Sequence, residues 1–255
     1  MEPAELHRRG VAGLKQEIEL FGHAEPAMTI ELPGIFASLS PRTPDRSLFN
    51  SVAATDASAL SAAIDELASI YEDAGVNAWT VWVPDHDRES AGLLEKRGHL
   101  LDGSPRSMGL ELSDLRPPTG PFPPGVELVE VEIAEAGRIN DLAYGIEGPG
   151  WQSSFGRELD LPHRLLGAKL GGEIVSCAIA LEAGDDVCIT GVATVPEQRG
   201  QGLAAAIVYG LLHEYRDRGI RTATLQASQA GAPVYERLGF SDVGFIELWE
   251  LRKPG

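Results

Sequence analysis

"TVPEQRGQGLAAAIVYGLLHEY" (residues 194–215) joins a strand end, a loop with two glycines and a long apolar helix that runs from 203 to about 218 and closes at Gly219. Glycine costs roughly 1 kcal/mol against alanine inside a helix. Arg199-Gly200-Gln201-Gly202, set where a helix has to begin, therefore trades helix stability for something else. The first N–H groups of any helix lack intrahelical partners, and the helix dipole adds about half a positive charge there. An anion answers both. Gly200 and Gly202 keep side chains out of the way of an approaching phosphate, and Arg199 adds charge. Taken alone, a glycine pair before a helix equally fits an ordinary strand-to-helix connection.

Around this stretch the hydrophobic period alternates. "VELVEVE" (126–132) reads as a strand and "IAEAGRINDLAYG" (133–145) as an amphipathic helix. "HRLLGAKLGG" and "EIVSCAIALEAG" form a hairpin across Gly171-Gly172, and "DVCITGVATV" (186–195) is the next strand. Strand "TATLQAS" (222–228), short helix "APVYERLG" (232–239) and strand "GFIELWEL" (244–251) complete an α+β layer on one mixed sheet.

Upstream, "RPPTGPFPPG" (116–125) holds five prolines in ten residues, which suits a stiff extended spacer and marks a domain boundary. The part before it repeats the grammar of the part after it. "FNSVAA" (49–54) resembles "ITGVAT" (189–194), "SALSAAIDELASIYEDAG" (58–75) resembles "GLAAAIVYGLLHEYRDRG" (202–219), and "LLEKRGH" (93–99) resembles "VYERLGF" (234–240), in the same order and at similar spacing. The expected organisation is two tandem copies of one fold: residues 1–115, a linker at 116–125, and residues 126–255. From Phe49 to Gly75 there are 27 residues, against 31 from Ile189 to Gly219, and the glycine loop is what the first copy lacks. Its turn reads "TDAS" (55–58), with Asp56 or Ser58 placed to cap the helix. A carboxylate there occupies the position of a bound phosphate and repels one.

The chain has 255 residues, 43% hydrophobic and 23% charged, with a net charge of −17. Such acidity argues against nucleic acid and suits a cationic partner such as an amine. Residues 1–117 carry 19 acidic and 10 basic residues and the remainder 19 and 11, so charge alone locates no site. No apolar run has the length of a membrane span, and "MEPAELHRRG" lacks the apolar core of a secretory signal, which points to the cytoplasm. Cys177 and Cys188 read as buried reduced thiols. The six histidines follow no ligand spacing, so no metal is expected.

"VATVPEQRGQGLA" (192–204), followed by "LQASQAGAPVYERLGF" (225–240), resembles the GNAT superfamily of acyl-CoA-dependent N-acyltransferases. The family motif Q/R-x-x-G-x-G/A is filled by Arg199, Gly202 and Ala204, with Val195, Pro196 and Leu203 also of the usual type. The loop is neither a Walker loop nor a dinucleotide fingerprint. The resemblance spans about residues 126–251 and implies acetyl-CoA as co-substrate. Its pyrophosphate is expected on the N–H groups of Arg199, Gly200, Gln201, Gly202, Leu203 and Ala204, and its pantetheine beside the strand ending at Val195.

The same resemblance assigns the chemistry. The Val195 N–H is expected to donate to the thioester carbonyl, and Tyr235 to be the general acid, its reference pKa of about 10 lying near that of the leaving thiol; an aromatic that packs helix on sheet is the other reading of Tyr235. Where the family often has an asparagine seven residues before the tyrosine, this chain has Ser228. No general base is identified: Glu182, Asp185, Asp186 and Glu147 are candidates, and Trp151 is either a substrate platform or core. Leu94 stands where the first copy would carry the tyrosine, so that copy is expected to be silent and to support the second or wall its acceptor cleft. The expected partner is a small-molecule or peptide amine. The alternative is a catalytically inactive acyl-CoA-binding or regulatory protein of the same fold.

Overall fold

A computed structural model of the chain describes residues 1–22, 26–120, 123–155 and 162–253. The first half contains α1 (Pro3–Phe21), β1 (Met28–Leu32), β2 (Ile35–Leu39), β3 (Ser51–Ala54), α2 (Ala57–Asp73), β4 (Ala78–Pro84), α3 (Arg88–Lys96), β5 (Leu100–Gly103) and β6 (Arg106–Glu111). The second contains β7 (Val126–Glu130), α4 (Ile133–Tyr144), α5 (Trp151–Ser154), β8 (His163–Leu170), β9 (Glu173–Ala183), β10 (Asp186–Thr194), α6 (Leu203–Asp217), β11 (Thr222–Ala227), α7 (Ala232–Leu238) and β12 (Ser241–Arg252). The β8–β9 hairpin turns at Gly171 and Gly172, both at positive φ, the conformation a tight two-residue connection needs. Of the proline-rich stretch, residues 121 and 122 lie outside the described residues. None of the described helices is long and apolar enough to cross a membrane.

The strands make one mixed sheet in the order β1-β2-β3-β4-β12-β6-β11-β10-β9-β8-β7, with β5 added to β12. Each half contributes a strand, a helix and a parallel strand, followed by a short helix: β3–α2–β4–α3 and β10–α6–β11–α7. The edges of these units are exchanged. β6 of the first half pairs antiparallel with β11, from Thr222↔Glu111 to Ala227↔Arg106. β12 pairs first with β6 and then, past an irregularity at Asp242/Gly244, with β4 from Ile246↔Pro84 to Arg252↔Ala78. The two halves are therefore joined through the middle of the sheet.

Helices α6 and α7 cover one face of the second half, where Leu203, Ile207, Leu211 and Tyr215 pack on Val187, Ile189 and Leu225. The opposite face carries α4 and the end of α1, with Phe21, Ile139 and Trp151 against Ile179 and Cys188. Sequence reading left α1 unassigned, yet it lies across β6, β10 and β11. Its buried residues Leu6, Gly10, Gly13, Leu14, Glu17, Ile18 and Phe21 follow the helical period. Missing Cβ atoms permit the close approach. One added at Gly13 would stand 3.2 Å from Cys188 Cβ, and one added at Gly109 on β6 would stand 2.8 Å from Leu6 Cβ. Gly109→Ala is expected to destabilise the protein by about 1–3 kcal/mol through overpacking, read as a lower urea midpoint at unchanged slope.

Candidate active site

Strands β10 and β11 run side by side only from Asp186↔Thr222 to Ile189↔Leu225. Beyond that point β10 stays with β9 as far as Thr194↔Ser176, while β11 follows β6. A cleft of about 1000 Å³ opens where they part, with the glycine loop, Glu17, Trp82 and Leu248 on its wall. A bulge in β10 between Thr190 and Ala193 marks the divergence.

At the loop, Gly200 and Gly202 have φ of 77° and 79°, and a Cβ at either would meet nothing within 4 Å. The left-handed backbone, not crowding, demands glycine there. Gly202 is the N-cap of α6 and supplies no side chain. The helical ladder begins with Ala206 N–H donating to Gly202 C=O at 3.0 Å, so the N–H groups of Leu203, Ala204 and Ala205 lie at an open helix end. In the first half, Asp56 Oδ1 accepts from Ala59 N–H at 2.9 Å and closes the corresponding end of α2; of the two expected caps, Asp56 is the one used. Arg199 departs from its expected place. Its N–H donates to Pro196 C=O, and its guanidinium donates to Thr194 C=O at 3.2 Å and to Ala143 C=O. Its charge therefore sits at the C-terminal end of α4, where the helix dipole favours it, and it ties that helix to the end of β10. Gln201 donates to Gln198 Oε1 at 2.7 Å.

The role expected of the Val195 N–H requires correction. It donates to Val175 C=O at 3.0 Å, continuing the ladder with β9. Because backbone groups of an antiparallel strand alternate in direction, Thr194 turns its N–H and C=O to the side that β11 has left. Tyr235 lines the cleft, nearly buried, with its ring edge-on to Phe240 at 5.9 Å between centroids. Burial first, and Tyr144 second, hold its phenol well above the ordinary tyrosine range. In this state the phenol is kept in its protonated, donating form. Ser228 also lines the cleft, and its Oγ accepts from Gly231 N–H at 3.1 Å ahead of α7. Leu94 is fully buried in the first half's core.

All four candidate bases lie elsewhere. Asp186 stands eight residues from Thr194, roughly 26 Å along an extended strand, buried and accepting from Thr224 Oγ1 at 2.7 Å. Glu182 pairs with Arg218 at 2.6 Å and Asp185 with Arg9 at 2.7 Å. Glu147 is exposed and absent from the cleft wall. Trp151 is both core and wall: it packs edge-on against Phe21, Phe49 and Phe155, and lines the cleft. Asp141 fixes it by accepting from the N–H groups of Trp151 and Gln152 at 2.7 and 3.0 Å.

One carboxylate on the wall was missed in the sequence. Glu17, on α1, is 7% exposed and accepts from Thr190 Oγ1 at 2.6 Å. Burial pushes its carboxyl above the ordinary glutamate range, against the opposing pull of the Thr190 hydrogen bond. The available signal was a charged residue on the apolar stripe of the first helix. His7, Asp85 and His86 also bring ligand atoms within 4.8 Å of one another, a cluster that sequence spacing hides because His7 comes from α1. Cys177 and Cys188 are free and buried; burial pushes the Cys177 thiol up to about 12 and that of Cys188 well above its usual value.

Residues 138–240 match the Acetyltransferase (GNAT) family. This segment runs from α4 to the end of α7 and includes β10, the glycine loop and Tyr235. Among solved structures, the chain is similar to a GCN5-related N-acetyltransferase from Kribbella flavida (19% identity, 96% of both chains, TM-score 0.65). It is also similar to a GCN5-related N-acetyltransferase from Sphaerobacter thermophilus (20%, 87% of this chain and 78% of that one, 0.59). A third is a tandem GNAT protein from the clavulanic acid biosynthesis pathway, solved without AcCoA (13%, 96% and 88%, 0.60). At these identities the likeness is one of fold. No curated protein matches the sequence.

The raised carboxyl of Glu17 fixes a pH dependence. A folded-state pKa above the unfolded one means that the native protein holds a proton the unfolded chain has already lost. Stability therefore falls as pH rises from the unfolded value of about 4.3 through the folded one. Glu17→Gln keeps an acceptor for Thr190 and removes this loss. Its melting temperature minus that of the wild type is expected to grow between pH 4.5 and 8, measured by calorimetry.

Proposed function

We propose that the protein is an acyl-CoA-dependent N-acyltransferase, moving an acetyl group from acetyl-CoA to a primary amine by direct attack. The observation that carries this reading is the uncapped start of α6 opening into the gap between β10 and β11. The diphosphate would accept hydrogen bonds from the N–H groups between Gly200 and Ala205, where two left-handed glycines leave the approach clear. The pantetheine arm would lie along β10 as an added strand, bonded to the outward backbone of Thr194. With Val195 committed to β9, the donor to the developing oxyanion is an N–H of the outward-facing part of β10. Tyr235 hydrogen-bonds the departing sulfur and delivers its proton.

The first half is a degenerate copy of the same fold, with domains at 1–115 and 126–255 and a linker at 116–125. The paired strand–helix–strand units and the likeness over nearly the whole chain to a tandem GNAT protein support this. Its capped α2 and the leucine at position 94 give it no acetyl-CoA site. The protein works in the cytoplasm, on a small-molecule or peptide amine.

Acetyl-CoA is expected to raise the melting temperature, by the equivalent of about 2.7 kcal/mol at a hundredfold excess over its dissociation constant. Gly202→Glu is expected to lose that shift, because its carboxylate meets the diphosphate and a side chain strains the left-handed backbone there. Tyr235→Phe is expected to keep the shift and to release CoA thiol about 10²- to 10⁴-fold more slowly in the presence of amines. Unchanged turnover would take Tyr235 out of the chemistry. A wild-type shift with no thiol release across an amine panel would favour a CoA-binding protein without turnover.

A further inference from the structure

The cleft that holds the glycine loop also takes in residues of the first half. Glu17 comes to its wall from α1, Trp82 from β4 and Leu248 from β12, together with Thr190 on β10 and Gln226 on β11. The carboxylate of Glu17 has one neutral donor, the Thr190 hydroxyl. Among the described residues no Lys, Arg or His forms an ion pair with it. A buried carboxylate without a counter-charge is costly, and α1 carries it among buried residues that, His7 apart, are leucine, isoleucine, phenylalanine and glycine. Gln226 adds a second unmet acceptor, a buried Oε1 with no donor. The Trp82 indole N–H is already spent on Ser51 Oγ at 2.8 Å, so the ring offers apolar surface. A buried carboxyl group with no counter-charge and an amide oxygen with no donor, on a wall shared with a tryptophan and a leucine, complement an ammonium group on an apolar or aromatic body.

We propose that Glu17 is the acceptor subsite, binding the ammonium of a primary amine with an apolar or aromatic body and accepting its first proton. The inference rests on the acyltransferase reading above and names its substrate class. The ammonium gives one proton to the Glu17 carboxylate, and the free nitrogen forms a bond to the thioester carbonyl carbon. The carbon–sulfur bond breaks as the tetrahedral adduct collapses, Tyr235 gives its proton to the departing thiolate, and the second nitrogen proton restores the Tyr235 hydroxyl. Glu17 returns its proton to water when the amide leaves. The first half thereby supplies the chemistry that the second lacks.

The test uses the full chain with phenethylamine and its neutral analogue 2-phenylethanol as probes, titrated calorimetrically in the presence of CoA at pH 8. Phenethylamine is expected to bind the wild type at least about tenfold more tightly than 2-phenylethanol, and Glu17→Gln is expected to abolish that preference. Glu17→Ala serves as a second variant if Glu17→Gln does not fold. Both variants are expected to retain the acetyl-CoA melting shift. Absence of phenethylamine binding, equal binding of the two probes, or a preference unchanged in the variants would overturn the proposal. Loss of the acetyl-CoA shift in the wild type would instead overturn the acyltransferase reading, so the two failures are distinguishable.

Discussion

Parallel strands β10 and β11 share four residue pairs and then part, and the rest of the site depends on how that separation is held open. Two strands that diverge in mid-sheet leave backbone groups that must find partners or water. Here each strand is held from its outer side, β10 by β9 and β11 by β6. Arg199 adds a tie between the end of β10 and the end of α4, and α1 lies across both strands where they are still together. The gap is thus a property of the pairing pattern, and the side chains facing it line a space already made.

The two helix starts show how a small difference in a loop separates two fates. In α2 an aspartate fills the first-turn amides, and the helix end is finished within the chain. In α6 two left-handed glycines turn the backbone into the helix with no side chain to complete it. The first arrangement favours stability and the second leaves an electropositive end turned toward the cleft. Glu17 is the opposite case, an acidic group held away from water with a single hydroxyl for company. The cleft wall therefore carries both an electropositive helix start and an acidic side chain, contributed by different halves of the chain.

Much of this was legible in the sequence because it is local. The glycine loop, the helix after it, the β8–β9 turn and the strand–helix–strand units all rest on short-range periodicity and turn chemistry. What could not be read is set by distance. That β6 would pair with β11, and β12 with β4, is a choice among edges more than a hundred residues apart, with no local signature. The direction of the Val195 N–H was missed for a different reason: strand backbone alternates with period two, and the bulge after Thr190 shifts that alternation by one residue. Glu17 needed the docking of α1, whose contacts come from the far half of the chain.

The placement of β12 bears on how the molecule is made. The strand that completes the edge of β4 lies far along the chain, with Ile246 opposite Pro84 and Arg252 opposite Ala78. On a ribosome β4 emerges well before that partner. Vectorial folding, one half maturing while the other is still being translated, therefore leaves this side of β4 open until β12 has been made. The first half reaches its final strand pairing only with a contribution from the second.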